Sequence, residues 1–336
     1  MRSAGLRRFF STVFLLALVA ALGVAGVGWW WVRQPLRLPA PTVDVDIEPG
    51  TLPRGVAQAV ADAGVAVNPD LLYWWFRVSG QARAIKAGSY ELETGVTPRR
   101  LLRKLARGEE SLRAVTLVEG WNIRQVRAAL GKEETLRHDT GALDDAAMMA
   151  LLGRPGQHAE GRFFPDTYTY AKGSSDTALL RRALRAMDKR LQAAWDQRAP
   201  QSAAHTPDEA LILASIVEKE TGKGTDRPLV SAVFNNRLRV GMPLQTDPTV
   251  IYGMGAAFNG NLRKVDLQTD TPWNTYTRSG LPPTPIAMPG KASLLAAVQP
   301  APSKALYFVS RGDGSSHFSD TLDEHNRAVN KYQRGR

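Results

Sequence analysis

The chain has 336 residues, with 43 Lys and Arg against 32 Asp and Glu, a formal net charge of +11. Hydrophobic residues at 43% and charged residues at 22% argue against long disorder, and the length holds more than one compact domain. There is no cysteine, which excludes disulfides, thiol catalysis and thiolate metal sites, while the basic balance suits a polyanion: nucleic acid, an anionic membrane face or an acidic wall polymer.

The first element predicted is a transmembrane helix. The run from Phe9 to Val32 carries no charge; as a helix it would span about 36 Å, enough for a hydrocarbon core of about 30 Å. Arg2, Arg7 and Arg8 precede it, so residues 1–8 are expected to stay cytoplasmic and the rest to be exported. Trp29, Trp30 and Trp31 stand at its far end, where indoles favour the lipid–water interface. A cleaved signal peptide competes, because Ala17, Ala20, Ala21 and Ala25 offer small-residue sites. Its apolar region would be shorter, so an uncleaved anchor over residues 9–32 is preferred. Pro35, Pro39 and Pro41 make residues 33–42 a short stiff linker. Export leaves nucleic acid the weakest of the polyanions.

A strand–turn–helix unit then recurs. It runs from Val43 to Gly50 into a helix near Pro53–Ala63, from Ser89 to Gly95 into Pro98–Ala106, and from Ala114 to Gly120 into Ile123–Leu130. Alternating apolar residues predict half-buried strands, and each glycine supplies the turn. Thr97 and Asn122 are the expected N-caps. Between the first two copies, Leu71–Phe76 reads as a short aromatic helix. It could stack on sugar rings, but core packing is the simpler account.

From about residue 111 a second region begins. An amphipathic helix is predicted over Asp176–Trp195, with Leu180, Leu184, Met187, Leu191 and Trp195 on one stripe. Thr206-Pro207 then starts a helix that is apolar round most of its girth and ends on Glu218 and Glu220. Two residues apart is about 200° of rotation, so these carboxylates cannot share one substrate. Glu218 shares its stripe with the small Ala214 and Ser215, which would leave room for a ligand beside it. Glu220 lines up with Leu213 and Ile216 and reads as a helix-end or salt-bridge residue. Burial of a carboxyl among apolar groups favours its protonated form, as a general acid requires. A plain ion pair of Glu218 with Arg237 or Lys219 accounts for the residue types equally well.

The usual catalytic motifs are missing, and His138, His158, His205, His317 and His325 have no metal spacing. Downstream of Glu218 lies a series of Pro- and Gly-punctuated loops rich in Gln, Asn, Thr and Tyr, suited to sugar hydroxyls and amides. Val217-Glu-Lys-Glu-Thr221, Asn236-Arg-Leu238, Leu244-Gln-Thr-Asp-Pro-Thr249, Tyr252-Gly253, Asn274-Thr-Tyr276, Gly280-Leu-Pro-Pro283 and Glu324-His-Asn326 closely resemble the MltG (YceG-like) family of endolytic murein transglycosylases. The resemblance covers nearly the whole chain after the anchor, in the family's order. Thr284 and Met288 depart from the pattern in one loop.

That resemblance implies an α+β fold: the N-terminal transmembrane helix, a small LysM-like βααβ domain over 43–110, and a mixed α/β catalytic domain with a lysozyme-like active site over 111–336. It implies Glu218 as the catalytic acid and base, with Gln245, Asn274 and Tyr276 as substrate-positioning residues. No metal or organic cofactor is implied. The partners implied are peptidoglycan strands and membrane-bound wall synthases, in a single-pass inner-membrane protein whose catalytic part is periplasmic.

A two-carboxylate glycosidase needs a second group as nucleophile or water activator. A lytic transglycosylase needs none, because the muramic 6-hydroxyl attacks C1 and closes a 1,6-anhydro ring. One acid therefore suffices, and cleavage within strands would terminate their elongation. The rivals are a hydrolytic muramidase with Asp247 or Glu220 assisting water, and a non-catalytic peptidoglycan-binding scaffold. A nucleic-acid binder stands last.

Overall fold

The computed structural model describes residues 2–48, 50–109 and 112–335. The chain is α+β and divides into two compact units, Met1–Arg113 with Tyr170–Gly173, and Ala114–Thr169 with Ser174–Arg336.

The first unit opens with α1 (Arg2–Trp31). Its stretch Phe14–Trp31 has a mean hydropathy of 1.9 over 18 residues and no fully buried residue, so it is long and apolar enough to cross a membrane. The unit's core begins where α1 ends. Trp31 packs against that core, Val32 is buried, and the Leu36 N–H donates to the Val96 carbonyl at 2.8 Å. Residues 33–42, expected as a linker, therefore run along the unit and are bonded to it. Further bonds from Ala66 N–H to Arg37 and from Thr94 N–H to Pro41 continue the attachment.

β1 (Thr42–Ile47), α2 (Pro53–Asp62), α3 (Pro69–Val78) and β2 (Gly88–Glu93) come next, in βααβ order. The strands pair antiparallel from Thr42↔Glu93 to Ile47↔Gly88. Alternate residues Val43, Val45 and Ile47 turn inward, as a one-faced sheet requires. The aromatic helix α3 splits its payload: Leu72 and Phe76 have no exposed surface, whereas Trp74 is 59% exposed. In α4 (Pro98–Arg107) the Thr97 side chain accepts from the Arg100 N–H, and Gly108 closes the helix at φ 69°, the left-handed C-terminal turn that glycine tolerates.

The second unit takes in most of β3 (Leu112–Thr116), α5 (Ile123–Gly131), α6 (Asp145–Leu151), β4 (Thr167–Ala171) and α7 (Asp176–Trp195). Asn122 and Gln125 form a reciprocal capping box on α5. Gly161 to Tyr168 forms a tight aromatic turn in which Phe163 is buried and the Tyr168 hydroxyl donates to the Phe164 carbonyl at 2.7 Å. Then come α8 (Pro207–Glu220), α9 (Arg227–Arg239), α10 (Asp247–Met254), α11 (Lys264–Gln268) and α12 (Lys291–Val298). A hairpin of β5 (Tyr307–Ser310) and β6 (Ser316–Ser319) and a last helix, α13 (Leu322–Gln333), finish the unit.

α8 is the axis of this unit. Residues 213 to 217 of it are buried without a break, and α7, α9, α10 and α12 pack round it. A helix apolar on every side is stable only when enclosed in this way. Enclosure also fixes where its last turn delivers Glu218 and Glu220.

Candidate active site

Glu218 lies in the last turn of α8 with its side chain 8% exposed. Its Oε2 accepts the Gly290 N–H at 2.9 Å, and its Oε1 lies 3.8 Å from Nη2 of Arg227. The ion-pair partner is thus Arg227, at the start of α9. Arg237 and Lys219 are engaged elsewhere. The Arg237 guanidinium donates to the carbonyls of Leu306 at 2.7 Å and Leu244 at 2.9 Å, and Lys219 Nζ donates to the Gly120 carbonyl at 3.3 Å. The small stripe on α8 also has another use. Ser215 is buried, and its Oγ accepts the Ile286 N–H at 3.0 Å, so the room beside Ala214 and Ser215 is taken by the 284–288 loop and not by a ligand. Met288, one of the two departures from the family pattern, is buried there; the other, Thr284, accepts from Trp273 Nε1 at 2.9 Å.

A second carboxyl stands beside Glu218, and sequence reasoning missed it. Glu119 belongs to the turn between β3 and α5, where Gly120 sits at φ 78°. An ideal Cβ built on Gly290 would lie 1.9 Å from Glu119 Oε1, so this carboxyl rests on the Gly290 backbone. Partial desolvation pushes the carboxyl of the largely exposed Glu119 above its ordinary range, the neighbouring Glu218 adds to that, and Arg227 opposes it. Nothing local in Leu117–Trp121 marks the residue; only its apposition to α8 does.

The remaining predicted residues form a separate set of contacts. Glu220 accepts from the Thr246 hydroxyl, and burial, with Asp247 nearby, raises its carboxyl. Asp247 Oδ1 accepts the Tyr276 hydroxyl at 2.5 Å, and burial raises that phenol, with the Asp247 bond contributing. Gln245 Oε1 lies 3.5 Å from Arg237 Nη1. Among the described residues Gln245 is the non-glycine with positive φ, at 51°. Its N–H bonds the Thr275 carbonyl at 3.0 Å, which ties it to the Asn274–Tyr276 turn. Asn274 has no exposed surface. Its amide donates to the carbonyls of Thr269 at 2.7 Å and Leu267 at 3.0 Å and accepts the Tyr276 N–H at 2.8 Å. Asn274 therefore shapes the loop that presents Tyr276. The structure brings Glu220, Gln245, Asp247 and Tyr276 into one set of contacts and Glu218 into another, as the 200° offset along α8 requires.

A cavity of about 670 Å³ is lined by Gly120 and Lys219, which neighbour Glu218, and by Arg124, Ile251, Tyr252 and Phe258; Glu218 itself is not part of the lining. Behind Tyr252 lies Glu160, 3% exposed. Both its carboxyl oxygens face the Ile123 N–H at 3.1 and 3.2 Å, and burial pushes it up to about 7.

A nearly buried helix-end carboxylate, held by one N–H and one guanidinium, is the equipment of an acid–base catalyst. The comparisons with known proteins make the class specific. The YceG-like family model matches residues 45–331, and the chain belongs to that family. It is 31% identical over 310 residues to the Bacillus subtilis protein named endolytic murein transglycosylase, covering 87% of this chain and 85% of the relative. A Streptococcus pneumoniae protein of the same name is 27% identical over 320 residues, or 85% of this chain, which spans 58% of that longer relative. The crystal structure of a YceG-like protein from Listeria monocytogenes matches with a TM-score of 0.53 and 28% identity, over 85% of this chain and 98% of that one.

Proposed function

We propose that this chain is an endolytic murein transglycosylase. It cuts MurNAc–GlcNAc bonds within peptidoglycan strands, leaves 1,6-anhydro-MurNAc ends and so terminates nascent strands. The observation that carries the reading is Glu218, 8% exposed and set between Arg227 and the Gly290 N–H, in a chain whose relatives bear that name. Protonated Glu218 gives its proton to the glycosidic oxygen as the C1–O bond breaks. The muramic 6-hydroxyl then bonds C1, and its proton passes to Glu218, which restores the acid. Holding both groups on one sugar makes the attack intramolecular.

In this reading Tyr276 and Gln245 orient the strand and Asn274 sets their loop. The βααβ order of the first unit supports a LysM-like glycan-binding role for it. α1 supports a single-pass anchor, with the amino terminus cytoplasmic and both units periplasmic beside the wall synthases. Mass spectrometry of sacculi digested with wild type and with Glu218→Gln tests the reading. Anhydro ends from wild type and none from a folded variant are expected; reducing ends would favour a hydrolytic muramidase with Asp247 or Glu220 serving water. No cleavage by wild type would favour a wall-binding scaffold.

A further inference from the structure

Gly290 supplies the observation. Its backbone sits at φ −78° and ψ 172°, a conformation open to any residue, so backbone freedom does not account for a glycine there. What a side chain there would meet is the Glu119 carboxyl, with Oε1, Cδ and Oε2 at 1.9, 2.2 and 2.9 Å from where a Cβ would be, so Glu119 holds its place only while residue 290 is glycine. The same residue's N–H is given to Glu218. Two carboxyls from distant parts of the chain thus meet across one glycine.

The apposition is held firmly. The Gly120 N–H donates to the Met288 carbonyl at 2.9 Å, and the Met288 N–H returns to the Trp121 carbonyl at 2.6 Å, so the turn carrying Glu119 is pinned to the segment carrying Gly290. Glu119 is exposed where Glu218 is nearly buried, so Glu119 stands at the open end of the pair. The charged groups that act on it are Glu218 from α8 and Arg227 from α9. Lys219 is spent on the Gly120 carbonyl. Arg227 keeps a buried Nε without a hydrogen-bond partner; its guanidinium lies 3.8 Å from Glu218 Oε1 and also acts on Glu119.

We infer that Glu119 is a second carboxylate of the site, which offsets the positive charge that builds on C1 and the ring oxygen while Glu218 acts as acid and base. The inference rests on the glycan-cleaving reading above. No bond to Glu119 is formed. The leaving oxygen takes its proton from Glu218, the 6-hydroxyl oxygen bonds C1, and that hydroxyl's proton goes to Glu218, so the negative charge on Glu119 is unchanged throughout. A fixed charge aimed at a charge present only in the transition state lowers the barrier without tightening substrate binding.

The test is steady-state kinetics of the full chain in detergent on uncrosslinked glycan strands, with Glu119→Gln, Glu119→Asp and Glu218→Gln beside wild type. Glu119→Gln is expected to lower kcat about 10- to 100-fold with KM within about two-fold, and Glu119→Asp to recover part of the loss. A Glu119→Gln enzyme with wild-type kcat overturns the inference while leaving the glycan-cleaving reading intact. A wild type that leaves strands whole overturns both. Carbon-13 NMR of the Glu119 carboxyl gives a readout free of turnover: its titration midpoint should fall in Glu218→Gln, and an unmoved midpoint counts against the pair.

Discussion

The Gly290 N–H points at Glu218 Oε2 from 2.9 Å, and the Glu119 carboxyl occupies the space where a side chain on Gly290 would stand. Backbone and carboxyls thus define each other's positions. Gly290→Ala is expected to fold, because its backbone angles suit alanine and the clashing group is the free end of a flexible side chain. Stability should change by less than about 1 kcal/mol while strand cleavage falls as Glu119 is pushed aside. Thermal unfolding and product release measured on the same preparation check this, and unaltered turnover would count against the arrangement.

Gly161→Ala should behave in the opposite way. Gly161 has φ 77°, and a Cβ there would meet the Pro285 ring at 2.5 Å. A ring cannot swing aside, and the left-handed backbone adds strain, so a loss of about 1–3 kcal/mol is expected. Urea denaturation should show a lowered midpoint at unchanged slope.

Asn274 and Tyr276 are two residues apart and should fail differently. Asn274→Ala strips the partner from two carbonyls and one N–H inside the protein, a loss of about 2–4 kcal/mol. Tyr276→Phe removes only the bond to Asp247 and should cost no more than about 1 kcal/mol. If Tyr276 orients the strand, its variant raises KM in a fully folded protein. Comparing melting temperatures with KM separates the two roles.

Glu160 makes stability depend on pH. Its carboxyl is pushed up to about 7 in the folded chain, chiefly by burial, against an ordinary value near 4.5. The folded state then holds a proton that the unfolded chain has released, so stability falls as pH rises between those values. The contribution is fully present below about pH 4.5 and is lost by about pH 7, a change of roughly 3 kcal/mol. Glu160→Gln keeps an acceptor for the Ile123 N–H and cannot ionise. Unfolding free energies at pH 5 and pH 8 should differ less in this variant than in wild type.

The local elements were legible because their causes are local. The run of apolar residues before Trp31, the period of α7 and the all-round apolarity of α8 arise from spacing within a few turns. The caps at Thr97, Asn122 and Thr206 come from residue types beside a first helical turn. The rotation between Glu218 and Glu220 also needs only the helix repeat, and the two do sit among different neighbours. Loop geometry left no such trace. The positive φ of Gln245 and the burial of Asn274 under backbone carbonyls depend on partners brought in from other segments.

Residue order alone dictated that two carboxylates would end a buried helix and that they would lie on different faces of it. The company of Glu218 came from tertiary packing: Arg227 in place of Arg237 or Lys219, a loop in the space beside Ser215, and Glu119 across Gly290. Periodicity reports which face of an element is buried, but apposition across the chain comes from packing of whole elements, which no short pattern encodes. For that reason the nearness of Glu119 to Glu218 could not be read from the sequence.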